Sequence, residues 1–300
     1  MASISKYASK QGMRWRVQYR DPAGKARTKR GFMRKVDAQN WAASNTVAKA
    51  TGDWIDPAMA KATVDDVAQV WLGSLDNLKP SSSRVMKIAW NKHVKPVWGD
   101  VPVSAVLPSE IQAWVNRQDH LAGATVRRNH NVLSQILAMA VADRRIRVNP
   151  AKGLRLPPKA KEKHIYLTMG EVKALADTSA YPTIVWLLAT VGMRWGELAG
   201  IKVEDVNVLR GRINLRTNAV TVGHEVVCGT LKTHERRTVA VPAFVMAMVK
   251  PALDGRAPDD WVFPARDGGP MKLPESGDGW FAGAAVRAGH AGLTPHGMRH

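Results

Sequence analysis

Two arginines, a lysine and a histidine set the chemistry that this 300-residue chain can do. Arg194 lies in Gly192-Met193-Arg194-Trp195-Gly196-Glu197-Leu198, Lys232 in Thr230-Leu231-Lys232-Thr233, and the last two in Pro295-His296-Gly297-Met298-Arg299. A guanidinium is a planar fork that donates two parallel hydrogen bonds to phosphate oxygens and stays protonated. Two such forks from distant parts of a chain can clamp one phosphate from two sides and stabilise the charge that develops in phosphoryl transfer. An imidazole titrates at about 6.5, so His296 can accept a proton or hydrogen-bond a phosphate. Glu197 falls three residues after Arg194, one turn on in a helix, where it is expected to orient its neighbours. An isolated His-x-x-Arg is common. Glycines flanking an arginine directly after an apolar helix are much more specific.

The formal net charge of +19 and a pI near 10.3 point to a polyanionic partner, most often nucleic acid. Residues 1–60 carry 12 Lys+Arg against 4 Asp+Glu, and residues 61–160 carry 15 against 7. Residues 161–300 carry 17 against 14, so phosphate affinity there must come from a few placed residues. Cys228 is the single cysteine, which excludes an intrachain disulfide and a cysteine zinc cluster and fits a reducing cytoplasm. No cofactor and no metal are expected, because the arginines and Lys232 supply the positive charge. No stretch approaches the roughly 18 apolar residues of a membrane span.

Several elements must position these residues. Trp15, Val17 and Tyr19 alternate with Arg14, Arg16 and Arg20, the period of a half-buried strand with a basic face. Asp21-Pro22-Ala23-Gly24-Lys25 is a turn, and Lys25 to Phe32, with Arg27, Lys29 and Arg30, is the returning strand. A β-ribbon fits the DNA major groove, so these basic residues are expected to face DNA. Asp37 is expected to cap a helix running through Trp41 to Lys49. After a linker at 52–62, Thr63 caps a helix containing Val64, Val67, Trp71 and Leu75. Ser81 to Ser83 open a second with Val85, Ile88, Ala89 and Lys92, Pro108 a third, and Ala124 to Ile146 form the fourth. Lys92, Lys95, Arg127, Arg128, Arg144 and Arg145 would be the basic face of this bundle. A second linker at 149–159 precedes the Thr168 to Glu171 capping box. A buried helix from Thr183 to Val191 follows, then strands over Arg212 to Thr217, Val220 to Cys228 and Thr238 to Val241. Helices resume at Phe244 to Leu253 and Trp280 to His290.

Taken in order, Arg194, Lys232 and His296-x-x-Arg299 resemble the active site of the tyrosine recombinases, phage integrases of lambda integrase type. The likeness covers nearly the whole chain and is strongest over 185–241 and 293–300. It implies a multidomain protein, mainly α with small β-sheets. An arm-type DNA-binding domain, a three-stranded sheet plus a helix, would span 1–55. A helical, SAM-like core-binding bundle would span 63–150, and a mixed α+β catalytic domain 160–300. The resemblance assigns the phosphate clamp to Arg194 and Arg299, and protonation of the leaving 5′-oxygen to Lys232 on a β-hairpin turn. Glu197 and His300 would support them; Gly297 departs from an acidic residue common in the family. The family's nucleophile is a tyrosine beyond the second arginine. Tyr7, Tyr19, Tyr166 and Tyr181 all precede Arg194, so no nucleophile is expected in these 300 residues, a catalytic domain truncated at its C-terminus.

The function implied is integration and excision at attachment sites through a 3′-phosphotyrosine. The alternative is a non-catalytic DNA-binding protein of the same fold that occupies such sites. The implied partners are double-stranded DNA with core and arm-type sites, a homotetramer on DNA, a host DNA-bending protein and an excision directionality factor. The implied setting is the cytoplasm of a bacterial host, on the nucleoid.

Overall fold

The structure, a computed structural model, describes the chain except residues 1, 11, 23, 52–53, 56–58, 160–164, 224, 232–235, 275–276, 278 and 300. Its contacts divide it into two units, Met1–Ala160 and Lys161–His300. The architecture is mainly α with small antiparallel sheets.

In the first unit, β1 (Ser3–Ser9), β2 (Gly12–Arg20) and β3 (Ala26–Phe32) form an antiparallel sheet in that order, followed by α1 (Lys35–Ala50). The period-2 pattern puts Val17 and Tyr19 on the face that α1 covers, where Tyr19 meets Trp41 edge-on at 5.2 Å. The helix starts at Lys35 rather than being capped by Asp37. Asp37 instead binds the Arg34 guanidinium through both carboxylate oxygens, at 2.7 and 3.1 Å.

A helical bundle follows: α2 (Val64–Ser74), α3 (Pro80–Ala89), a π-helical turn over Trp90–Val94, α4 (Lys95–Trp98), α5 (Pro108–Asn116) and α6 (Gly123–Ala142). Thr63 caps α2 as expected: its hydroxyl accepts from the Asp66 amide, and Asp66 accepts from the Thr63 amide. α3 contains Val85, Ile88 and Ala89 as expected; Ala89 is buried, while Val85 and Ile88 are exposed. One expectation fails. The fourth helix stops four residues early, where Arg144 adopts φ +56° and the chain folds back to bury Ile146.

The second unit begins with α7 (Met169–Asp177), α8 (Pro182–Val191) and α9 (Trp195–Ala199). The strands follow as β4 (Val206–Asn207), β5 (Arg212–Leu215), β6 (Thr217–Val222), β7 (Glu225–Thr230) and β8 (Arg237–Ala240). The unit ends with α10 (Ala243–Val249), α11 (Trp280–Arg287) and a short 3-10 turn, Gly297–Arg299. One sheet runs β4-β5-β8 and a separate hairpin pairs β6 with β7. The single strand expected from Val220 to Cys228 is therefore two strands reversed at Gly223, whose φ is +71°. Leu187, Leu188, Met193, Leu198, Ile213 and Phe281 are fully buried and fix the core. Each such side chain contributes about 1.5–3 kcal/mol of burial.

Candidate active site

Arg194 is placed by what stands on either side of it. Pro182 opens α8, and Gly192 closes it with φ +63°, a left-handed conformation that glycine adopts without strain. The buried Met193 anchors the next residue, and Arg194 then sits extended at the start of α9. That short helix lies directly on β6. A Cβ on Gly200 would stand 2.6 Å from the Thr217 carbonyl oxygen, and one on Gly196 would stand 2.9 Å from that of Ala219. The two glycines let the helix touch the strand backbone.

The Glu197 side chain is 3% exposed, and both of its carboxylate oxygens are bonded. Its Oε2 accepts from the Arg194 amide at 2.8 Å and its Oε1 from Arg194 Nη1 at 2.9 Å. A third donor, Arg237 Nη2, reaches Oε2 at 2.7 Å from the first residue of β8. Arg299 arrives from the far end of the unit. Its Nε donates to the Gly192 carbonyl at 2.7 Å. Burial, and then the neighbouring Arg194 and Arg237 guanidiniums, pull Arg299 below the ordinary arginine value; Glu197 opposes them. Two guanidiniums thus bond one buried carboxylate with a third close by, and their surplus positive charge is what a bound anion would offset.

The expected residues fare differently. Arg194, Glu197 and Arg299 come together. His296 lies exposed on the turn before Arg299, whose amide bonds the His296 carbonyl at 3.3 Å. Lys232 and His300 lie outside the described residues. The hairpin expected to carry Lys232 on its turn is not formed by β7 and β8: β7 pairs with β6, and β8 with β5. Arg237 was missed because Arg236-Arg237 reads as ordinary strand flank; only the register of β8 aims it at Glu197.

Among the described residues, no group of three or more His, Cys, Asp or Glu is arranged to hold a metal, and no helix is long and apolar enough to cross a membrane.

The phage integrase family model matches residues 163–300, and the phage integrase central domain model matches 64–156. This chain belongs to the phage integrase family. The integrase of Mycobacterium phage D29 is 28% identical over 234 residues, covering 74% of this chain and 62% of that protein. The chain therefore spans less than two thirds of that relative's length. The Tn1549 transposon integrase, solved with a circular intermediate DNA, shares the fold with a TM-score of 0.67 at 19% identity, over 79% of this chain and 84% of that one. A lambda integrase tetramer bound to a Holliday junction matches with a TM-score of 0.60 at 17% identity, over 98% of this chain and 88% of that one.

The basic residues of the first unit sort by face. Arg14, Arg16 and Arg20 project from β2 opposite to Val17, and Arg30 joins them because it pairs with Arg16. Two of them bond neutral groups: Arg16 Nε donates to Ser5 Oγ at 3.0 Å, and Arg20 Nη1 to the Gly24 carbonyl at 2.8 Å. Arg27 and Lys29 pair with Tyr19 and Val17, so they belong to the other face. Arg27 is held by the buried Asp21 carboxylate at 3.1 Å. Lys25 is exposed in the turn. In the bundle, Lys92 and Arg128 are exposed, Lys95 pairs with Asp65 at 3.0 Å, and Arg127 Nε bonds the Pro157 carbonyl at 2.6 Å.

Proposed function

We propose that the protein carrying this chain is a site-specific DNA recombinase that integrates and excises DNA at attachment sites. The observation that carries the reading is Arg299 bonded to Gly192, which sets the second arginine beside Arg194 and Glu197. Arg194 and Arg299 would bind the non-bridging oxygens of the scissile phosphate. A tyrosine oxygen would attack phosphorus, forming the 3′-phosphotyrosine as the bond to the 5′-oxygen breaks. Lys232 would give the leaving 5′-oxygen its proton, and His296 would take the phenol's. The charge of the arginines and the lysine makes a metal unnecessary in this step.

In this reading residues 1–55 bind arm-type sites and 63–150 with 160–300 clamp core sites. Arg14, Arg16, Arg20 and Arg30 supply the first contacts, and Lys92 and Arg128 supply others. Tetramer assembly on DNA is supported by the lambda integrase tetramer on its junction. Holding two distant sites at once requires bent DNA, hence a host bending protein, and excision would need a directionality factor. The bacterial cytoplasm, on the nucleoid, is where these partners meet.

The test is a nicked suicide duplex carrying the attachment site. A polypeptide that also carries the family's tyrosine should form a covalent 3′-adduct in the presence of EDTA. The 300 residues alone, with no tyrosine after Tyr181, should bind the duplex without an adduct. Binding without an adduct in both would leave the alternative, a protein that occupies attachment sites without cutting them.

A further inference from the structure

We infer that Arg237 is a positioning residue of the phosphate clamp: through Glu197 it sets how Arg194 presents its guanidinium to DNA. The inference rests on the phosphate-clamp reading above.

A buried carboxylate beside a single arginine draws the guanidinium into a two-pronged pair, which is the strongest arrangement open to both. Here the pair is not made that way. Arg194 commits only Nη1, to Oε1, while Oε2 is taken by its own amide and by Arg237 Nη2. Arg237 therefore occupies the place that a second prong of Arg194 would need. The Arg194 side chain remains 36% exposed, with nitrogen left over for a ligand. Arg237 also supplies a second positive charge to a carboxylate that is 3% exposed, and a buried charge is tolerated only when it is paired.

The position of Arg237 in the chain gives it a second consequence. It opens β8, which follows the connection containing Lys232 and is held in register by β5, with Leu215 opposite Arg237. The Glu197 carboxylate thus joins the segment after Lys232 to the segment of Arg194. Direct DNA contact is the rival role. The Arg237 side chain is 42% exposed, so geometry alone leaves a phosphate within reach as well.

The experiment uses the 300-residue chain and a duplex that it recovers from a randomised pool, with each phosphate replaced in turn by a neutral methylphosphonate. The phosphate held by Arg194 is the one whose neutralisation weakens the wild type but leaves Arg194→Ala indifferent. Neutralising it should cost the wild type about tenfold in affinity, the worth of one hydrogen bond to a charged group. In Arg237→Ala most of that cost should disappear, while Arg237→Lys, which can still bond Glu197, should keep much of it. In the Glu197→Gln background, Arg237→Ala should change nothing further. Unchanged thermal unfolding of Arg237→Lys guards against simple misfolding. The inference falls if Arg237→Ala discriminates at that phosphate like the wild type. It also falls if Arg237→Ala loses discrimination at a different phosphate, which marks a direct contact. A wild type that discriminates at no phosphate would overturn the clamp reading itself.

Discussion

The exposed face of the N-terminal sheet and the Glu197 site both gather arginines, and they do so in opposite ways. On the sheet, Arg14, Arg16, Arg20 and Arg30 line one face, with bonds to a serine hydroxyl and a backbone carbonyl. At the site, Arg194 and Arg237 converge on one buried carboxylate, and Arg299 is bonded to a backbone carbonyl two residues from Arg194. The sheet lies in a stretch with 12 Lys+Arg against 4 Asp+Glu; the site lies where the count is 17 against 14. Abundant charge makes affinity that is shared among interchangeable contacts. In the recombinase reading, a few charges in fixed geometry would make chemistry that no neighbour can replace.

That difference predicts unequal losses. Arg194→Ala or Arg299→Ala, in a polypeptide that also carries the tyrosine, should cut the rate of strand cleavage by on the order of a hundredfold or more. Binding should weaken only modestly, with the salt slope reduced by about one unit. Single-turnover cleavage and salt-dependent binding measure the two separately, and equal losses in both would erase the distinction. Gly200→Ala should come next. It drives a methyl into the Thr217 carbonyl, and overpacking of that kind costs about 1–3 kcal/mol, read as a lower unfolding midpoint. If phosphate discrimination survives intact while stability drops, the close seat of α9 does not fix the site. On the sheet, Arg16→Ala should lower the salt slope by about one unit and leave cleavage of bound DNA unchanged. A large loss of cleavage there would mean that the sheet does more than hold DNA.

The smallest effect is expected from acid. Hydrogen bonds from the Thr168 amide and then its hydroxyl hold the Glu171 carboxyl below the usual carboxylate range, and those of Thr63 do the same for Asp66. A depressed carboxylate stabilises the fold above its unfolded pKa and loses that contribution as pH falls through the folded one. Thermal unfolding followed from pH 7 to 3 should therefore drop less steeply in Glu171→Gln than in the wild type. Parallel curves would remove the cap from the account.

What the sequence made legible follows from how local each signal is. The Gly192 to Leu198 run reports its own geometry, since a left-handed glycine, an arginine and a capping glutamate are neighbours in the chain. Thr63 and Thr168 announce their helices for the same reason. Arg237 carries no local mark; its contact is created by the register of β5 against β8. Val85 and Ile88 are apolar residues at helical spacing, yet both are exposed, and the buried positions of α3 are Ser83 and Ala89. Gly223 was overlooked as a reversal because the residues on both sides of it read equally well as strand. The expected roles of Lys232 and His300 rest on sequence, as both lie outside the described residues.

The bond between Arg299 and Gly192 spans 107 residues. Closing a loop of that length costs about 4 kcal/mol in chain entropy, a cost that local contacts do not help to offset. Local helices and the β6–β7 hairpin need no such closure, so the clamp is expected among the last features to assemble. On the ribosome, a nascent chain that has reached residue 290 already displays every basic face but has only one arm of the clamp. In the recombinase reading, the order of synthesis would separate holding DNA from acting on it in time. Nascent chains stalled before His296 should retain duplex binding and show no preference at the phosphate that Arg194 recognises in the finished molecule.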